Sequence, residues 1–173
     1  MLSFLTDKLN EYSTECKLQL EDTSFLLSFS GGIDSTTMAS LLLEMRDAYK
    51  FKLGFAHFNH HSHNKSGDLK KFCLQYSHDN DVVFHQHELF FDSERNFEAC
   101  AREKRYMILN NIAEKYPYQF ILTAHHQDDQ LETVYMKKMD GADWISQIGI
   151  REKMGKLRRP FLYISKKNSC WCL

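Results

Sequence analysis

Nowhere in these 173 residues is there an uninterrupted apolar run of about 18 residues, so no membrane-spanning helix is expected. The first residues mix Asp7 and Lys8 among their apolar side chains, which leaves no signal-peptide core. A cytoplasmic protein with no membrane contact is the expectation. Cysteine is sparse and lacks a pairing pattern: Cys16, Cys73, Cys100, Cys170 and Cys172 are odd in number and contain no C-x-x-C spacing. That argues against a disulfide scaffold and against an iron–sulfur or zinc site, leaving buried or idle thiols. Net charge is nearly absent as well, −1 with 26% charged residues, so nothing pulls the whole chain toward nucleic acid. Contact with a polyanion would need a local patch. A further absence is lysine, which does not occur between residues 23 and 43.

That lysine-free window encloses the most informative residues of the chain, Ser30, Gly31, Gly32, Ile33, Asp34 and Ser35, which follow an apolar run and precede a helical pattern. Two glycines allow a sharp turn and close backbone approach to a ligand. The free N–H groups of the following helix then favour an anion. A Walker loop requires G-x-x-x-x-G-K-[ST], so the missing lysine excludes a P-loop NTPase. The plainer alternative is a strand-to-helix turn in which Asp34 and Ser35 cap the helix, although capping alone does not need both glycines.

Around the loop the pattern alternates. An amphipathic helix with a polar link is expected over 1–23, strands over 25–29, 52–58, 81–88 and 119–123, helices over 35–49, 65–80 and 96–116, and a further helix from about Asp128, which could cap it. Pro117 stops the longest helix. Such alternation predicts an α/β fold, an open and mostly parallel twisted sheet with helices on both faces. Ligands bind such sheets beyond the carboxyl ends of the strands, which puts the loops after Phe29, Phe58, Glu88 and Thr123 on one rim.

Those loops are polar. His57, His60, His61 and His63 could ligate a transition metal, but no Cys or carboxylate cluster has matching spacing, so no metal site is assigned and a polar nucleotide-lining loop fits better. After the fourth strand, Asp129 and Glu132 share a helical face, suited to an ammonium group or to magnesium bridging phosphates; acidic residues are also simply favoured in a first helical turn. Arg102 and Arg105 share a face of the long helix, where Glu98 and Arg102 could equally form a surface ion pair. Arg151, Lys153, Lys156, Arg158 and Arg159 form the one basic cluster, either a polyanion contact or a solvated loop.

Taken together, S-G-G-I-D-S-T at 30–36, H-x-N-H at 57–60, E-x-x-A-R-x-x-R-Y at 98–106, T-A-H-H-x-D-D-Q-x-E-T at 123–133 and R-R-P-F-L at 158–162 resemble, in order, the N-terminal catalytic domain of the tRNA(Ile)-lysidine synthetase family. The loop alone resembles that of the N-type ATP pyrophosphatases more broadly, whose fold is adenine nucleotide alpha hydrolase-like. The resemblance implies a catalytic domain over 1–162 and an irregular tail over 163–173, without the family's C-terminal tRNA-binding domains. It implies adenylation by ATP of the wobble cytidine of a tRNA(Ile) with a CAU anticodon, then attack by free L-lysine. The carried-over roles are ATP binding by Ser30, Gly31, Gly32, Ile33, Asp34, Ser35 and His57, catalysis by Asp34, His125, Arg102 and Arg105, lysine binding by Asp129 and Glu132, and a weak tRNA contact by Arg151, Lys153, Lys156, Arg158 and Arg159. Magnesium follows from the ATP chemistry. A related tRNA thiolase and a non-catalytic ATP-binding module are the alternatives, and oligomeric state, a homodimer included, is left open.

Overall fold

The run Ser24–Ser28 (β1) commits alternate side chains to different layers, Phe25 and Leu27 to one core and Leu26 to the other. Helices therefore have to cover both faces. In the computed structural model, residues 1–59, 66–89, 97–139, 141 and 149–166 are described, with side chains left aside at 66 and 97–99. The other strands are β2 (Lys52–Asn59), β3 (Val83–Glu88), β4 (Phe120–Leu122), β5 (Lys153–Met154) and β6 (Leu157–Arg158), in the spatial order β3-β2-β1-β4-β6-β5. All neighbours are parallel except β5 and β6.

The helices are α1 (Leu2–Glu15), α2 (Ile33–Tyr49), α3 (Ser66–Asp79), α4 (Phe97–Lys115) and α5 (Gln127–Met139). On one face Leu5, Leu9 and Tyr12 of α1, Met38 and Leu42 of α2 and Cys73 of α3 pack with Phe25, Phe29, Phe55 and Phe120. On the other, Leu109, Ile112 and Ala113 of α4 meet Leu26, Ala56, Phe58 and Ile121. The expected α/β architecture is present. Burial pushes the Cys73 thiol up to about 12, which makes it an inert packing group.

Two features differ from the expectation. The first helix ends at Glu15 and a separate 3-10 turn follows at Leu20–Asp22. The basic cluster, read as a loop, holds the β5–β6 hairpin, whose two-residue turn starts at Gly155 with φ +55°. This hairpin closes the sheet edge and is clasped by α1. Lys8 Nζ lies 2.8 Å from Glu152, and Lys153 Nζ lies 2.5 Å from Glu11 and 2.6 Å from Glu15. Arg158 bonds Glu15 at 2.8 Å, with its guanidinium 4.9 Å from the Phe120 ring centre. On the opposite face, the Tyr118 ring lies directly over Gly54 of β2, and its hydroxyl and His85 Nε2 are 3.1 Å apart.

Candidate phosphate site at the sheet's switch point

Chain direction through the sheet decides where a ligand fits. From β1 the chain crosses to β2 on one side, while β4 pairs on the other, so the β1/β4 boundary is the topological switch point. A cavity of about 210 Å³ opens there. Ser28, Ser30, Asp34 and Ser35 line it from the loop after β1, and Thr123, Ala124 and His125 from the end of β4. Asp129 closes it from α5, and Arg105 and Tyr106 from α4.

The loop is held by its own polar groups. Gly32 N–H donates to Ser30 Oγ at 3.3 Å, Ser30 and Ser35 hydroxyls are 2.9 Å apart, and Ser35 Oγ donates to the Gly32 carbonyl at 3.0 Å. The N-cap of α2 is Gly32, so no side chain closes the first N–H groups of this 17-residue helix, and they remain available to an anion. The other helix at the site is closed differently. His126 Nδ1 accepts the Asp128 N–H at 3.2 Å, and Asp129 accepts the His126 N–H at 2.7 Å. This reciprocal cap, with His126 at N-cap and Asp129 at the third helical position, replaces the expected capping by Asp128.

The two loop glycines have separate roles. Gly31 has φ +82°, and a Cβ there would lie 2.9 Å from Cys73 Sγ. Gly32 has an ordinary extended backbone (φ −76°), and its nearest neighbour would be Ser30 Oγ at 3.4 Å. We therefore expect Gly31→Ala to cost about 1–2 kcal/mol of stability through the left-handed backbone alone, measured by urea denaturation. Gly32→Ala should melt like the parent chain yet bind inorganic pyrophosphate at least about tenfold more weakly, because its methyl enters the space a phosphate would use. Equal pyrophosphate affinity in Gly32→Ala would show that the loop does not cradle phosphate.

His125 is set up as a neutral group. Its Nδ1 lies 2.8 Å from Thr123 Oγ1, and burial, reinforced by Arg159, Arg102 and Arg105 and opposed by Asp129, lowers its pKa from 6.5 to about 4. Between those values the unfolded chain binds a proton that the folded chain refuses. Stability is therefore complete above about pH 6.5 and falls as pH drops toward 4, by on the order of 3 kcal/mol for this one group. His125→Gln should abolish that part of the acid sensitivity, so the stability gap between pH 7 and pH 4.5 narrows in denaturant titrations. An unchanged gap would contradict it.

The remaining expected site residues are divided. Arg105 lines the cavity, and burial lowers its pKa, whereas Arg102 is exposed with its guanidinium 5.5 Å from the Tyr106 ring centre. His57 is buried, with Nδ1 2.9 Å from the Phe29 carbonyl; it steadies the backbone leading into the loop and does not line the cavity. Ile33 starts α2 at 60% exposure, and Glu132 lies exposed one turn beyond Asp129. His60, His61 and His63, the Glu98 side chain and residues 167–173 fall outside the described residues.

The basic cluster does not form one free face. Lys153 and Arg158 are taken by α1, and Lys156 Nζ donates to the Ala113 and Tyr118 carbonyls at 3.2 and 3.0 Å. Arg159, 1% exposed, donates to the Arg151 carbonyl and to Tyr106 Oη, the latter at 2.9 Å, and pairs with no carboxylate among the described residues. Only Arg151 is exposed without such an internal side-chain engagement. Hydrophobic spacing carries no signal for this, because it depends on α1 arriving from the far end of the chain. Tyr106 and Thr123 were visible in the motifs without a role, and no motif marked Lys166, whose Nζ lies 2.9 Å from Asp34 Oδ1.

An open helix N-terminus after a glycine turn, facing a neutral imidazole and a half-buried guanidinium at the switch point, defines an α/β domain built to hold a phosphate-bearing ligand. Residues 3–170 match the PP-loop domain family, and the chain belongs to it. Among curated proteins it is 34% identical over 149 residues to tRNA(Ile)-lysidine synthase of Streptococcus pyogenes, covering 83% of this chain and 34% of that protein. It is also 34% identical over 155 residues to the protein of the same name from Aster yellows witches'-broom phytoplasma, covering 87% and 34%. The chain thus spans about a third of the length of the curated relatives it matches. Among solved structures, the U34-tRNA thiolase NcsA from Methanococcus maripaludis, with its [4Fe-4S] cluster, superposes with a TM-score of 0.69 at 17% identity, over 95% of this chain and 60% of that one. Glutamine-dependent NAD+ synthetase from Acinetobacter baumannii in complex with ADP gives 0.59 at 11%, over 92% and 29%. These two likenesses concern the fold.

Proposed function

We propose that this chain is the ATP-using domain of a tRNA-modifying ligase that forms lysidine. The carbonyl oxygen of the wobble cytidine of a CAU-anticodon tRNA(Ile) attacks the α-phosphorus of ATP, and pyrophosphate leaves. The amine of free L-lysine then attacks the activated carbon, its C–O bond breaks, and AMP departs. The carrying observation is the open N-terminus of α2 facing Arg105 and a neutral His125 across one cavity. In this reading Ser30, Gly31, Gly32 and Ser35 hold the pyrophosphate, where donors fixed in advance stabilise the charge that develops on the leaving group. Arg105 takes up phosphate charge, His125 accepts or donates a hydrogen bond without adding a cation, and Asp129 with Glu132 receives the lysine ammonium.

Magnesium suits the residues present. Asp34 Oδ1 is buried without a hydrogen-bond partner, and Asp129 adds a second carboxylate to the same cavity. One or two carboxylates plus substrate phosphates is the usual way this ion is held. Asp34 and Asp129 would hold it, and it would supply positive charge to offset that of the phosphates.

Pyrophosphate release that requires a CAU-anticodon tRNA(Ile), followed by AMP release that requires lysine as well, is the test. AMP release without lysine dependence would overturn lysidine formation. The internal engagement of Lys153, Lys156, Arg158 and Arg159 favours a second reading, an ATP-binding module that does not hold tRNA by itself. Calorimetry separates the two: ATP bound with no tRNA binding selects the module.

A further inference from the structure

The phosphate loop has no lysine of its own, yet an ammonium group stands beside it. Lys166 Nζ is 2.9 Å from Asp34 Oδ1, in the first turn of α2. It arrives from the segment that follows β6. Phe161 and Leu162 are fully buried, Leu162 N–H bonds the Arg159 carbonyl at 3.2 Å, Ile164 N–H bonds the Phe161 carbonyl at 2.9 Å, and Gln127 N–H bonds the Ile164 carbonyl at 3.0 Å. The backbone two residues before Lys166 is therefore tied both to its own turn and to the start of α5. The ammonium is delivered by structure and not by a stray surface chain.

Asp34 is gripped from two sides. His126 Nδ1 accepts the Asp128 N–H, so the ring hydrogen lies on Nε2, 3.5 Å from Asp34 Oδ2. Lys166 approaches Oδ1 at ion-pair distance but off the line of a hydrogen bond, so that oxygen remains unsatisfied. A settled structural salt bridge would align its donor with the acceptor. The lysine side chain is also 40% exposed, so solvent and a ligand can reach it.

We infer that Lys166 is a phosphate-contacting residue of this site, which rests on Asp34 when no phosphate is present and moves to the β- or γ-phosphate oxygens when one binds. It would supply from the far end of the chain the cation that a Walker loop carries within itself. The inference rests on the adenylation reading for the identity of its ligand, and it assigns that ligand's pyrophosphate portion to Lys166.

The test is calorimetry of the full chain with three probes, inorganic pyrophosphate, magnesium–ATP and AMP, on the parent, Lys166→Met, Lys166→Gln and Lys166→Arg. Loss of one charge-assisted contact should weaken pyrophosphate and ATP about ten- to hundredfold in the Met and Gln variants. AMP should bind as before, Lys166→Arg should recover most of the loss, and thermal melts should stay close to the parent's. Pyrophosphate bound equally by the parent and both neutral variants would overturn the role of Lys166 alone. A drop in melting temperature with unchanged pyrophosphate affinity would make Lys166 a structural partner of Asp34 and overturn it too. A parent chain that binds neither ATP nor pyrophosphate would overturn the adenylation reading, and with it this inference.

Discussion

Asp34→Ala is expected to lower pyrophosphate release by about a thousandfold or more, the scale of removing a preorganised electrostatic group or a metal-holding carboxylate. The side chain stands in the first turn of α2, lines the cavity and is oriented by His126 and Lys166. Little stability should go with it. Its ion pair with Lys166 joins side chains 29% and 40% exposed, and pairs of that kind contribute about 0–1 kcal/mol. Catalysis and folding should therefore separate, turnover collapsing while the urea midpoint barely moves. Asp34→Asn keeps the volume and should fail almost as badly, because charge is what the phosphates or a divalent ion require. Turnover within about tenfold of the parent, in a steady-state pyrophosphate assay, would remove Asp34 from the chemistry.

The largest effect on stability is expected from a residue far from the phosphate loop. Gly54 lies in β2 between the buried Leu53 and Phe55, and a methyl there would collide with the hydroxyl and ring of Tyr118. Tyr118 cannot yield cheaply. It is 6% exposed, its hydroxyl meets His85 Nε2 at 3.1 Å, and its carbonyl accepts from Lys156. Gly54→Ala should therefore cost about 3 kcal/mol, the upper end for overpacking a core, with loss of the buried hydroxyl's partner included. Gly54→Ala combined with Tyr118→Phe or Tyr118→Leu should recover part of the loss, Leu more than Phe. A single-variant cost below about 1 kcal/mol in chemical denaturation would show that the ring moves freely.

Sequence pattern located the sheet well because its strands are short apolar runs bounded by polar loops. Lys52–Asn59 and Val83–Glu88 lie within two residues of the expected bounds. The glycine loop and the T-A-H-H stretch were legible as neighbours on one rim, and they line one cavity, because polar groups crowd there after buried strands. What pattern could not show was division of labour. Asp128 and Asp129 look alike in the sequence, yet helix geometry gives the capping contact to Asp129 and the N-cap position to His126. Arg102 and Arg105 are equally spaced candidates, and only burial at the cavity separates them. The basic cluster misleads for a similar reason. Its charges are read along the chain, but their partners Glu11 and Glu15 lie some 140 residues earlier, in α1. Lys166 carried no signal, because a lone lysine acquires meaning from the turn that aims it.

The clasp between α1 and the β5–β6 hairpin also bears on how the molecule is made. Lys8 meets Glu152 across 144 residues, so α1 has no hairpin to hold until the 144 residues after Lys8 have been synthesised. At ordinary translation speeds that is a wait of roughly ten to thirty seconds. During it, Glu11 and Glu15 of α1 stand without their hairpin partners Lys153 and Arg158. Contacts this distant along the chain also slow folding after release. The same late segment carries Lys166, so a nascent chain would assemble its glycine loop well before the ammonium that stands beside it.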